Sequence, residues 1–84
     1  MKRVNVKFFA SIREALGTGA ETVDTAASDV AGLRDELIAR GGLYAQALAR
    51  GKAVRMAVNQ TLAADTTPLL EGAEVAFFPP VTGG

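Results

Sequence analysis

The chain has 84 residues, room for one domain and no second, and 49% of them are apolar, so a compact core is feasible. Nine basic and nine acidic residues cancel, which argues against a nucleic-acid or membrane-surface role driven by bulk charge but leaves local patches open. With no Cys and no His, disulfides, iron–sulfur clusters, a thiol nucleophile, the usual general base and the commonest metal ligand are all missing; self-contained catalysis and a metal site are not expected.

The start, Met1 to Lys7, has basic residues but no adequate apolar run behind them, so it does not read as a signal peptide. No stretch approaches the length that spans a bilayer, and a cytoplasmic protein is expected. Arg3 to Phe9 alternates, with Val4, Val6 and Phe8 on one face and Arg3, Asn5, Lys7 and Phe9 on the other, the period of a half-buried strand. Ser11-Ile12-Arg13-Glu14 matches a capping box with Ser11 as N-cap, opening a short helix that Gly17 closes. A second strand is expected from about Glu21 to Asp24, with Val23 inward.

Ser28 is the next expected N-cap, with Asp29 placing negative charge at the positive end of the helix dipole. Val30, Leu33, Leu37 and Ile38 share one helical face; Arg34, Asp35, Glu36 and Arg40 lie largely on the other, with Glu36 and Arg40 spaced for an ion pair. Gly41-Gly42 ends this helix, and Leu43 to Ala49 reads as a further short helical segment of undetermined role. Val54, Met56 and Val58 alternate as a third strand, Asn59-Gln60-Thr61 turns, and Leu62-Ala63 forms a short edge strand. Pro68 to Gly72 is a tight turn into the last strand, Glu74 to Phe78, where Val75 and Phe77 face inward. The order is that of an α+β, β-grasp (ubiquitin-like) fold: a mixed sheet of four to five strands covered on one face by one main helix. The opposite face then carries Phe9, Phe78 and Leu62, as a docking patch, as scattered surface residues, or as core residues if the strand phase is shifted by one.

Pro79 and Pro80 cannot donate to a strand ladder, so they end the last strand and bound a domain at residues 1–80. Val81, Thr82, Gly83 and Gly84 remain as a flexible tail (81–84) with a reach of roughly 13–14 Å when extended. Two glycines make the narrowest possible chain, suited to carrying the α-carboxylate of Gly84 into a constricted site on another protein. That carboxylate is inert until activated, for example as an acyl-adenylate. A terminal Gly-Gly arises by chance in roughly one chain in two hundred, so the dipeptide alone leaves a functionless end open.

The residues around the dipeptide narrow the choice. Asn59-Gln60-Thr61-Leu62, Pro68-Leu69, Gly72 and the ending Glu74-Val75-Ala76-Phe77-Phe78-Pro79-Pro80-Val81-Thr82-Gly83-Gly84 closely resemble the small, sulfur-carrier subunits of molybdopterin synthase. Phe8-Phe9-Ala10-Ser11-Ile12-Arg13-Glu14 matches the opening of the same family. Ala73 departs from it, since related sequences often carry Asp there. The resemblance implies that an adenylating enzyme related to ubiquitin activators uses ATP on Gly84, and that a sulfur donor protein converts the acyl-adenylate to a thiocarboxylate. Sulfur then passes to cyclic pyranopterin monophosphate on a large subunit, within a heterotetramer. By the same resemblance, Gly83 and Gly84 form the reactive end, and Pro79, Pro80, Val81 and Thr82 contact the partner. Phe9, Leu62 and Phe78 supply apolar contacts, and Arg13 either meets a partner acid or is a solvated charge. No cofactor is expected to be bound by the chain itself, with ATP used by the activating enzyme. No nucleic-acid or membrane partner is expected. The alternatives are a thiamine-type sulfur carrier, a protein modifier that joins Gly84 to lysines, and a non-covalent interaction module.

Overall fold

A computed structural model describes residues 1–80; Val81, Thr82, Gly83 and Gly84, read above as the tail, lie outside the described residues. Five strands, β1 (Lys2–Phe8), β2 (Ala20–Thr25), β3 (Arg55–Val58), β4 (Thr61–Ala63) and β5 (Glu74–Phe78), form one sheet in the order β2-β1-β5-β3-β4. β1 and β5 run parallel with Val6 beside Val75 and Phe8 beside Phe77; the other pairings are antiparallel. The alternation in β1 has the expected consequence: Val4, Val6 and Phe8 are buried on one face, and the residues between them face the other. Phe8 and Phe77 stack with centroids 6.1 Å apart, and Tyr44 meets Phe8 edge-on at 6.3 Å.

Three helices, α1 (Ala10–Leu16), α2 (Val30–Ile38) and α3 (Gly42–Leu48), contribute to a single core with that face of the sheet. Val30, Leu33 and Leu37 of α2 are fully buried, each burial stabilising by about 1.5–3 kcal/mol over exposure. The segment of undetermined role is therefore a true helix that buries Ala47 and Leu48. Among the described residues no helix is long and apolar enough to cross a membrane.

Several local expectations fail for identifiable reasons. Ser11 is not the cap of α1: the helix begins two residues earlier than expected, with Phe9 at the N-cap and no side-chain cap bond. The Phe9 amide donates to the Phe77 carbonyl at 3.1 Å, prolonging the β1–β5 ladder to the last possible residue. The chain must then enter the helix at once, and Ala10 takes a left-handed φ of 52° to do so. Ser28 is not the cap of α2, because its carbonyl accepts from the Leu69 amide; Asp29 caps instead, its carboxylate accepting from the Gly32 amide at 2.8 Å. Glu36 and Arg40 do not pair, since α2 ends at Ile38 and the i,i+4 geometry ends with it. Arg40 instead reaches Glu21 at 2.6 Å and lies 4.9 Å from the Tyr44 ring centre, while Glu36 accepts from the Thr25 hydroxyl. Tyr44 also donates to Glu21 at 2.6 Å. Desolvation pushes the Glu21 carboxyl upward, but the bonds from Tyr44 and Arg40 outweigh it and hold the group below its ordinary value.

Arg34, placed by its helical position on the polar face, is buried. Its guanidinium donates to the carbonyls of Leu48 at 2.8 Å, Ala49 at 2.7 Å and Lys52 at 3.3 Å. These carbonyls lie at the end of α3 and just beyond, where the Ala49 carbonyl also accepts from the Lys52 amide at 2.9 Å, so a cation from α2 caps the C-terminus of its neighbour.

The β3–β4 hairpin turns through two residues, Asn59 at φ 50° and Gln60 at φ 68°. Both values are left-handed, as a tight twisted hairpin requires. Asn tolerates this, and its Oδ1 also accepts from the Glu74 amide at 3.0 Å. Gln60 is exposed and strained without compensation. Gln60→Gly is expected to stabilise the fold by about 1 kcal/mol, read as a higher denaturant midpoint at unchanged slope. An unchanged or lower midpoint would contradict the strain argument.

Candidate docking face and tail root

The face of the sheet away from the helices carries the outward residues of each strand, and their register defines a surface. In one row across the strands lie Leu62, Ala57, Ala76 and Lys7. In the next outward row Phe78 lies opposite Arg55, and Phe9 follows Phe8 beside it, tied by its amide to Phe77. Phe9 and Phe78 are thus neighbours at the end of the central strand pair. Leu62 stands two strands from β5, about 10 Å away. Between them Ala57 and Ala76 form a low floor, so three large apolar groups surround a shallow saddle. Phe9 is 45% and Leu62 64% exposed, and Phe78 is half-buried. The Lys7–Glu74 ion pair at 3.3 Å lies along one side.

The sequence reading missed the floor. Its signal was there: Ala at positions 57 and 76, in strands where β-branched or aromatic residues fit better, suits a surface that something else must approach closely.

Pro79 follows Phe78 directly and forms one wall of an open groove of about 130 Å³ between α1, through Ile12 and Ala15, and the loop at Lys52–Val54. Pro80 completes the described chain. Arg13 projects from α1 over Gly19, whose missing side chain makes the space: a Cβ there would stand 3.0 Å from the Arg13 Nε. Among the described residues Arg13 makes no ion pair. The expected site residues Phe9, Phe78, Pro79 and Pro80 thus cluster where β5 ends, with Arg13 beside them on α1 and Leu62 across the saddle. Val81, Thr82, Gly83 and Gly84 fall outside the described residues. The surface offers apolar area, cations and a chain exit.

The ThiS family profile matches residues 6–84. The chain is 48% identical over 81 residues to the molybdopterin synthase sulfur carrier subunit of Escherichia coli, covering 96% of this chain and 99% of that one. Among solved structures, a protein–protein complex of subunits 1 and 2 of molybdopterin-converting factor from Helicobacter pylori contains a similar chain, with a TM-score of 0.67, 30% identity and coverage of 98% and 99%. SAMP1 from Haloferax volcanii is similar at a TM-score of 0.76 and 27% identity, with coverage of 98% and 99%.

Proposed function

This chain belongs to the ThiS family, and from that footing we propose that it is the sulfur-carrier subunit of a molybdopterin synthase. The observation that carries the reading is the 48% identity, over nearly the full length of both chains, to a relative named for that role. The same match favours it over a thiamine-type carrier and over a protein modifier.

In this reading the Gly84 carboxylate attacks the α-phosphate of ATP on an adenylating enzyme, expelling diphosphate. The acyl-adenylate has a good leaving group, so the outer sulfur of a donor protein's persulfide attacks the carbonyl and releases AMP. A thiol then cleaves the acyl disulfide so formed, leaving the thiocarboxylate on Gly84 and a disulfide on the donor. Glycines at 83 and 84 leave that carbonyl unshielded on both sides. The thiocarboxylate is anionic and polarizable; its sulfur attacks a carbon of cyclic pyranopterin monophosphate held by the large subunit, displacing an oxygen there. Water then cleaves the resulting thioester and returns Gly84 to its carboxylate. Acid–base groups come from the partners, in keeping with a carrier that has neither His nor Cys. The large subunit covers the saddle of Phe9, Leu62 and Phe78 and admits the tail from Pro79 through Thr82. Two carriers on a dimer of large subunits make a heterotetramer, and the assembly works in the cytoplasm. The carrier itself binds no cofactor.

The test is intact mass after incubation with ATP, the activating enzyme and a sulfur source. A mass gain of one oxygen-to-sulfur exchange, localised to Gly84 by fragmentation, is expected, followed by its loss on adding the large subunit and substrate. No gain with demonstrably active enzymes overturns the proposal; discharge only in a thiazole-forming system transfers the chain to the thiamine-type role.

A further inference from the structure

Positive and negative charges balance in number on this chain but not in place. Four of the nine basic residues sit against carboxylates: Arg3 on Asp24, Lys7 on Glu74, Arg40 on Glu21, and Arg50 between Asp35 and Asp65. Lys2 and Arg34 are taken up by backbone carbonyls. Among the described residues, the three left without an ion pair are Arg13, Lys52 and Arg55. All three lie at the end of the sheet where β5 gives way to Pro79. Arg55 stands opposite Phe78 in the β3–β5 register, Lys52 lines the same groove as Pro79, and Arg13 is on the helix that follows Phe9. Glu14 is the one carboxylate of α1. Other carboxylates without an ion pair are engaged elsewhere: Asp29 caps α2, Glu36 accepts from Thr25, and Glu71 accepts from the Arg3 amide.

Like charges gathered without counter-ions repel one another and add nothing to folding, so their placement is better explained by what approaches them. We propose that Arg13, Lys52 and Arg55 form a positive collar around the root of the tail, which steers the chain tail-first onto an acidic rim on the large subunit. This rests on the function proposed above. The collar meets protein surface rather than a reacting group, because four further residues reach roughly 13–14 Å beyond it. Its field extends about one Debye length, about 8 Å at physiological salt, enough to orient an encounter before the apolar saddle makes contact. Lys52 and Arg55 are both exposed, so reversing their charge removes little packing.

The experiment is stopped-flow association of the full chain with the large subunit, for the natural protein, Lys52→Glu/Arg55→Glu and the milder Lys52→Gln/Arg55→Gln. At low salt (about 10 mM, a Debye length of about 30 Å) the doubly reversed variant is expected to associate about tenfold more slowly. The neutralised variant should fall between, with dissociation rates little changed. Near 1 M salt the three rates should converge. Equal association rates at low salt, a natural rate indifferent to salt, or a defect confined to dissociation each overturns the steering role. Failure of the natural protein to bind the large subunit at any salt would instead overturn the function on which the inference rests.

Discussion

Deleting Gly84 will stop sulfur transfer while leaving the fold intact. The deletion shortens an extended chain by about 3.3–3.6 Å, and a displacement of about 1 Å at a reacting centre can already cost about a hundredfold in rate. The new terminus would also carry its carboxylate beyond the reach of groups set for the longer chain. Loss of at least about a hundredfold is therefore expected in single-turnover sulfur delivery to the large subunit. The core, the ladders and the caps all lie within residues 1–80, so the unfolding temperature should not move. Retained transfer at the natural rate would show that the carboxylate of Gly84 is not the carrier group.

Leu62→Asp should have the second largest effect, on assembly rather than on chemistry. Leu62 is 64% exposed on the edge strand β4, so the free protein loses little by the change. In a covered saddle, losing its burial costs about 1.5–3 kcal/mol, and desolvating an unpaired carboxylate adds to that. Since about 1.4 kcal/mol is a factor of ten, the dissociation constant for the large subunit should rise by at least about a hundredfold. Titration calorimetry measures it, with thermal unfolding as the control. An affinity within twofold of the natural protein would place the interface elsewhere.

Much of this architecture was legible from residue types. The period-two alternation of Val4, Val6 and Phe8 and the helical spacing of Val30, Leu33 and Leu37 put the right side chains into the core. The sheet pairing then set Phe9 beside Phe78, because the first and last strands of this topology are neighbours. What stayed hidden depends on contacts between elements. Arg34 carries the same charge as a solvated arginine; only the position of the α3 terminus makes its burial favourable. Ser11 and Glu14 have the right spacing for a capping box, but the Phe9–Phe77 bond starts the helix before Ser11. Likewise, Arg40 is four residues from Glu36, yet the helix stops before the pair can face. The collar was invisible for the same reason: Arg13, Lys52 and Arg55 are dispersed in sequence, and net charge carries no information about place.

The strand that leads to the tail is the middle one of five, with β1 along one side and β3 along the other. A pull on the C-terminus therefore loads two hydrogen-bond ladders together, in shear along the strand, instead of opening one ladder bond by bond. A tail suspended from an outer strand such as β4, with three residues and one neighbour, would peel away under the same force. In the proposed cycle the end of the chain is drawn into one enzyme after another and withdrawn each time, and it would be moored there at the mechanically strongest line of the sheet.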